Sequence, residues 1–339
     1  MVDPKQANGA EPRLARIWLG RAATVGVALA FVVVVLGAYT RLVDAGLGCP
    51  DWPGCYGFLV VPGHADDIAI AQSRFPGAVV EVHKAWPEMV HRYFAGSLAL
   101  VIATIAGLGF WFRRTGMPFK LPLALLLLVI AQAAFGMWTV TLKLWPQVVT
   151  THLLGGFATL SLLWLLWLRT HSVPSLPVNL RGHAVVGLCV VVLQIMLGGW
   201  TSSNYAALAC PDFPTCQGQW WPSMDFAAGF NILQHVGPNY LGGLMHSSAR
   251  AAIHVVHRLG AVLVLLTVAP LAIRVISSGA QRLGYAVLGL LLVQVGLGIA
   301  NVVFTLPLAV ATAHNATGAL LLLGVVTVNY RTFHPGPER

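Results

Sequence analysis

Three observations predict an all-α integral membrane protein, with eight transmembrane helices arranged as two tandem, parallel-oriented four-helix bundles. The chain of 339 residues is 57% hydrophobic and only 9% charged, against roughly 25% charged in a soluble domain. Eight apolar stretches each approach the ~20 residues that cross a bilayer as a helix. The second half also repeats the first. Gly37, Cys49 and Cys55 return as Gly198, Cys210 and Cys216, each 161 residues on, and Gln132 and His152 return as Gln294 and His314, 162 on. A repeat of this length marks a duplicated folding unit.

The first stretch, 17–39, has an apolar run longer than the about 7–15 residues of a signal core. No small-x-small cleavage site follows it, so it reads as a retained anchor. The loop 40–88 carries turn formers: PDWPG and GHADD read as turns and AIAQSRFPG as a short surface helix. Stretches 89–111, 121–142 and 149–168 complete a first set of four. The polar, proline-bearing segment 170–182 reads as a linker. The second set is 183–202, 252–273, 283–303 and 308–330, with a long loop over 203–251 whose QGQWWP suits a membrane interface. The expected units are therefore 1–169 and 183–339. An even number of spans per copy inserts both copies the same way, so an axis along the membrane normal relates them.

The net charge of +9 does not indicate nucleic-acid binding, because of where the charge lies. Lys5, Arg13, Arg16, Arg21, Arg113, Arg114, Lys120, Arg169, Arg181, Arg274, Arg282, Arg331 and Arg339 flank one side of the eight-span scheme. The opposite loops hold most of the acids: Asp44, Asp51, Asp66, Asp67, Glu81, Glu88, Asp212 and Asp225. Positive charge stays cytoplasmic, so both termini are expected inside a bacterial plasma membrane and both long loops outside.

Outside, the pairs Cys49/Cys55 and Cys210/Cys216 meet an oxidising compartment, which favours disulfides. A Cys/His metal site is the alternative, with a spacing wider than its usual pattern. A disulfide here could be structural or redox-active. Cys189, within the fifth stretch, reads as a small buried apolar residue.

Ionisable groups inside a membrane are usually functional. His91, His152, His257 and His314 lie in the second, fourth, sixth and eighth stretches, each within about two turns of the external end. They therefore share one depth, and two imidazoles from facing helices can clamp a haem iron from both faces. Gly96, Gly155, Gly156, Gly260 and Gly318 follow these histidines and let backbones approach a flat macrocycle. Arg92 and Arg258 each follow a ligand candidate, where haem propionates would sit. Interfacial histidines bonded to backbone are the alternative, disfavoured at four repeat-related positions because buried imidazole is costly without a partner. His64, His83, His235 and His246 are expected in solvated loops, and His171, His183 and His334 on the cytoplasmic side.

One position breaks the symmetry. Glu88 stands three residues before His91, and His254 three before His257, each on the face of its ligand candidate. A carboxylate at the edge of one pocket can move protons or stabilise a cation, whereas an imidazole can hydrogen-bond. The alternative for Glu88 is a solvated interfacial carboxylate.

GAYTRLVDAGLGCPDWPGC after the first span, EMVHR at 88–92, TTHLLGG at 150–156, the second cysteine loop, IHVVHR at 253–258 and TAHNATG at 312–318 together resemble the haem A synthase family, in its bacterial branch with paired loop cysteines. The resemblance covers nearly the whole chain. It implies oxidation of a methyl substituent of haem O to a formyl group, giving haem A for terminal oxidases. It implies that His91 and His152 hold substrate haem, that His257 and His314 hold haem b, that Glu88 is the catalytic carboxylate and that the cysteine pairs are loop disulfides. The partners it implies are a haem O-supplying farnesyltransferase, oxidase assembly proteins and membrane lipid, with no nucleic acid.

Two other functions compete. A dihaem b-type electron-transfer subunit would use the same histidines without chemistry on haem, but has less need of unequal pockets. A transporter built from parallel repeats would show midplane charges or broken helices; only Gln132 and Gln294 lie there.

Overall fold

The computed structural model describes residues 4–115 and 119–334, with side chains described from 13 onward except at 115. Arg339 and the side chain of Lys5, both counted among the basic flanks, lie outside the described residues. The helices are α1 (Pro4–Leu42), α2 (Ala65–Arg74), α3 (Val82–Trp111), α4 (Lys120–Thr141), α5 (Pro146–Thr170), α6 (Arg181–Ser203), α7 (Phe226–Gly229), α8 (Ser247–Ser277), α9 (Gln281–Val303) and α10 (Leu308–Phe333). All except α2 and α7 are long and apolar enough to span a membrane, giving eight spans among the described residues.

Contacts group the spans by sequence half. In the first, α1 packs on α3, α3 on α4, α4 on α5 and α5 back on α1; α6, α8, α9 and α10 close the same ring in the second. The histidine-bearing helices α3 and α5 are thus diagonal in one ring, and α8 and α10 in the other. The rings meet through α1–α10, α5–α6 and α5–α10. Lipid tails give little hydrophobic drive between helices, so packing and interhelical hydrogen bonds hold such a junction. Trp164 Nε1 donates to Thr327 Oγ1 at 2.8 Å, and Thr150 and Ser203 hydroxyls meet at 3.1 Å. Leu19, Ile102, Leu160 and Leu163 share one buried cluster with Val191, Val268, Leu271 and Val325 of the second half. Its outermost members in α3 and α5, Leu98 and Phe157, lie one to two turns inward of His91 and His152.

The backbone repeats even where side chains do not. Every non-glycine residue with positive φ among the described residues belongs to a repeat pair: Asp44 and Tyr205, Tyr56 and Gln217, Lys143 and Thr305, Leu144 and Leu306. Such a conformation costs about 1–2 kcal/mol for an L-residue. At the outer ends of α1, α4, α6 and α9 it is held by six-to-one turns: Ala45 N to Thr40 O, Leu144 N to Thr139 O, Ala206 N to Thr201 O and Leu306 N to Asn301 O. Pro146 at the start of α5 then relaunches the chain.

Three sequence expectations change. First, α3 and α8 begin at Val82 and Ser247, several residues before the apolar stretches did. The polar run with His83, Lys84 and Pro87 hides this extension from hydropathy, yet Ala85, Glu88 and Met89 are buried beneath the cysteine loop. Second, GHADD is not wholly a turn. Asp66 and Asp67 occupy the first turn of α2, where acids complement the helix dipole. Third, Cys189 is not buried among side chains; it is exposed on a face of α6, which in a membrane faces lipid.

Candidate functional site

At the outer end of each ring a disulfide-closed loop sits on the helix that carries the first histidine of that ring and the arginine after it. Cys49 is bonded to Cys55, and Cys210 to Cys216. Within each loop an aspartate accepts two backbone amides. Asp51 takes those of Tyr56 and Gly57 at 2.6 and 2.8 Å, and Asp212 those of Gln217 and Gly218 at 2.6 and 3.0 Å. Gly48 brings the first loop against α3: a Cβ there would lie 2.6 Å from the carbonyl oxygen of Lys84.

Arg92 and Arg258, expected beside haem propionates, are turned into these loops. Arg92 Nη1 donates to Asp51 O at 2.8 Å and Pro53 O at 3.3 Å, and also to Gly54 O. Arg258 donates to Thr215 O at 2.7 Å, Asp212 O at 2.8 Å, Cys210 O at 3.2 Å and Pro214 O at 3.3 Å. Each guanidinium clasps the carbonyls of its disulfide ring and fixes that ring over the helix below. Backbone carbonyls have no signature in a sequence, so this role was not legible there.

The halves differ beneath the loops. Glu88 is only 5% exposed, which overturns the solvated alternative. One of its oxygens pairs with Arg92, four residues on, and the other accepts the Cys49 amide at 3.0 Å. His254 is equally buried, but its Nδ1 meets the carbonyl of Ala206 at 3.0 Å. Arg258 therefore has loop carbonyls where Arg92 has a carboxylate as well. Outside the membrane-spanning segments, the Thr215 hydroxyl and the two loop amides hold the Asp212 carboxyl below its ordinary range. Burial raises the Tyr56 phenol.

The four histidines occupy equivalent places. His91 and His152 stand on diagonal helices of the first ring, and His257 and His314 on diagonal helices of the second. Each imidazole rests on a glycine of the preceding spanning helix. A Cβ at Gly37, Gly136, Gly198 or Gly298 would approach the ring of His91, His152, His257 or His314 to 3.0, 3.4, 3.3 and 3.2 Å respectively. The Nδ1 atom of His152 is buried without a hydrogen-bond partner. Imidazoles on diagonal helices of one ring, each resting on a glycine, suit an iron held from both sides of a macrocycle. The remaining histidines lie apart: His64, His83 and His235 are exposed, His246 precedes α8, His171 stacks on Trp167, His183 bonds to Thr267 O and His334 stacks on Tyr330.

Two features escaped the sequence reading. Gln194 Nε2 lies 3.2 Å from His257 Nδ1, but its repeat partner is Val33, so a search for what both halves keep passes over it. The segment 230–245 spans the halves: Gln234 O accepts from Trp145 Nε1 at 3.2 Å, Ile232 O from Gln147 Nε2 at 2.9 Å, and Tyr240 N donates to Lys143 O at 3.0 Å. A loop of the second half thus straps the α4–α5 turn of the first. Repeat-equivalent residues also meet at the junction, where Tyr205 OH donates to Asp44 Oδ1 at 3.0 Å.

Comparison with known proteins gives these features a context. The family model for cytochrome oxidase assembly protein, COX15-CtaA, matches residues 20–326. A heme A synthase of Shewanella oneidensis is 47% identical over 326 residues, covering 94% of this chain and 96% of the relative. Heme A synthases of Caulobacter sp. strain K31 and Chelativorans sp. strain BNC1 are 29% and 30% identical, covering 91% and 93% of this chain and 94% and 90% of those relatives.

Proposed function

We infer, from a chain that belongs to the COX15-CtaA family of cytochrome oxidase assembly proteins, that this multi-pass membrane protein is a haem A synthase. It is an oxidoreductase that converts a methyl substituent of haem O to the formyl group of haem A. The observation that carries the reading at the site is the unequal pair of pockets: four equivalent histidines, with a buried carboxylate–guanidinium pair beside one set alone.

The reading divides labour between the halves. Residues 1–169 form the substrate half, in which His91 and His152 hold haem O. Residues 183–339 form the cofactor half, in which His257 and His314 hold haem b, and 170–182 join the two on the cytoplasmic side. The diagonal placement of the histidine-bearing helices and the glycine cradles support that assignment. Haem b supplies one-electron redox chemistry when bound. The chain's own contribution centres on Glu88. Its two oxygens are held by Arg92 and the Cys49 amide, so the carboxylate keeps one position as charge develops on a haem beside it. A fixed negative charge in a water-poor site stabilises a developing cation without reorganisation. Each oxygen retains a lone pair, so Glu88 can also take the proton lost from the reacting methyl group. The disulfide ring, pinned by Arg92, closes the pocket from the outside.

The basic helix ends support a bacterial plasma-membrane orientation with both termini cytoplasmic and both cysteine loops outside. Haem O arrives from a farnesyltransferase and haem A passes to oxidase assembly proteins on this reading.

Chromatography of haems extracted from the purified protein tests the function. Haem b together with haem O or haem A is expected. Haem b alone would favour a dihaem electron-transfer subunit.

A further inference from the structure

The repeat also breaks at the end opposite the cysteine loops. At about 1.5 Å per residue, the run of α1 from Arg21 to Leu42 matches the ~30 Å hydrocarbon thickness of a bilayer, so Arg21 stands at headgroup depth. There a cleft of about 260 Å³ lies between α1 and the end of α5. Arg16, Ile17, Gly20 and Arg21 line it on one side, Thr170 and His171 on the other. Gly20 faces both of these: an added Cβ would lie 3.3 Å from Thr170 Oγ1 and 3.4 Å from His171 Cε1.

The second half fills the equivalent place. Arg181 is the repeat partner of Gly20, and Thr332 and Phe333 are those of Thr170 and His171. Arg181 Nη2 donates to Thr332 O at 3.2 Å, and its guanidinium lies 4.4 Å from the centre of the Phe333 ring. Pro177 and Gly182 stand where the first half has Arg16 and Arg21. One half thus covers the seam with its own arginine, whereas the other leaves a cleft flanked by two cations.

Those cations lack countercharge. None of the ion pairs among the described residues engages Arg16 or Arg21; Arg21 only lies over the Trp18 ring, at 5.7 Å. The far wall is fixed, since His171 stacks on Trp167 at 4.1 Å and holds Trp167 O at 2.8 Å through Nδ1. Trp18, Val25 and Val32 recur at seven-residue spacing, so they share one helical face, and all three are exposed. The cleft therefore continues into an apolar stripe that runs from Arg21 toward the middle of the span. Planar guanidinium groups match phosphate oxygens in pairs, and basic pockets between spanning helices take lipid headgroups. A soluble phosphate would use the cations alone; a lipid uses the cations and the stripe. We propose that this cleft binds the phosphate group of an anionic phospholipid, with an acyl chain along Trp18, Val25 and Val32. The lipid bridges α1 and α5, the pair that closes the first ring, whatever the histidines hold.

The test uses the full-length protein in detergent. Native mass spectrometry is expected to show tightly held phosphatidylglycerol. Added phosphatidylglycerol is expected to raise the thermal unfolding midpoint more than phosphatidylcholine does. In Arg16→Gln/Arg21→Gln the affinity for phosphatidylglycerol is expected to fall about 30-fold, the scale set by two basic residues at headgroup depth. Arg113→Gln/Arg114→Gln removes the same charge from the same end of the bundle and is expected to leave both readouts unchanged. Gly20→Arg adds positive charge but carries the second half's plug, so its affinity is expected to fall as well. Affinity that rises in Gly20→Arg, that is undiminished in Arg16→Gln/Arg21→Gln, or that falls equally in both double variants overturns the cleft as the site. If Gly20→Arg does not accumulate, the two double variants decide. Equal stabilisation by the two lipids, or displacement of the lipid by millimolar inorganic phosphate but not by chloride at the same ionic strength, overturns the lipid as occupant.

Discussion

The two halves share their spans, their disulfide loops and their positive-φ turns, and the differences that bear on the site are a few side chains at one end. Both close a six-residue cysteine spacing with a disulfide, both cap it with an aspartate, and both clasp it with an arginine from the helix below. Against that sameness, Glu88 faces His254, Val33 faces Gln194 and Gly54 faces Thr215. A buried ion pair does little for stability compared with well-packed apolar residues, because desolvation consumes most of the attraction. The Glu88–Arg92 pair in one half, beside a neutral imidazole in the other, is therefore hard to account for as scaffold. Duplication supplied two rings of the same architecture, and a handful of polar substitutions at the outer end made their sites unequal.

The comparison breaks most readily at Glu88. Glu88→Ala is expected to fold and keep haem b but to lose haem A formation by roughly 100-fold, the scale on which one preorganised charge-stabilising group acts. Substrate haem or a partly oxidised form accumulates instead. His254→Ala removes a buried imidazole and its bond to the Ala206 carbonyl but no charge-stabilising carboxylate, and its haem A yield is expected to stay within a few-fold of the parent. The measurement is haem A per unit of purified protein in the two variants. Equal losses would mean that the inequality of the halves is not the source of the chemistry.

A smaller effect sharpens the same contrast at the arginines. Arg92→Ala strips the countercharge from a buried carboxylate and frees the loop carbonyls, a loss of about 3 kcal/mol or more. Arg258→Ala frees carbonyls alone, about 1–3 kcal/mol. Thermal unfolding in detergent should rank the Arg92 variant lower. In a Glu88→Gln background the Arg92→Ala penalty should shrink, since no charge is then stranded; additive penalties would show that the pair is not coupled.

How much of this was legible in the sequence depended on whether a residue's role lay in composition, in repetition or in a partner. The spans were legible because a bilayer imposes composition over some twenty residues. The outward extensions of α3 and α8 were not, because His83, Lys84 and Pro87 satisfy a loop's composition while the buried face of Ala85, Glu88 and Met89 satisfies a helix. Repetition exposed the histidines and cysteines, and one break in it exposed Glu88. The same method concealed Gln194, whose counterpart Val33 looks like any membrane residue. The loop-clasping task of Arg92 and Arg258 and the strap over Lys143–Gln147 depend on backbone carbonyls far away in the chain. Nothing in a local motif specifies those.

The smallest difference lies in the loops themselves. Asp212 accepts the Thr215 hydroxyl in addition to the Gln217 and Gly218 amides, whereas glycine occupies the threonine's place in the first loop. The Thr215 bond, followed by the two amides, favours the ionised carboxylate and sets its pKa below the ordinary 3.8. A carboxyl with a depressed folded-state pKa stabilises its loop at every pH above the unfolded value. That contribution fades as pH falls through the folded value, because protonation removes the acceptor. The second disulfide loop should therefore open below about pH 4, with no change between pH 5 and 8 from this group. The rate at which a phosphine reductant cleaves Cys210–Cys216 reports the opening, and phosphines remain reactive in acid. The rate should climb on acidification in the parent protein, start high and stay flat in Asp212→Asn, and begin its climb at a higher pH in Thr215→Ala. An identical pH profile in Thr215→Ala and the parent would show that the hydroxyl does not set the titration, leaving the two loops alike in this respect.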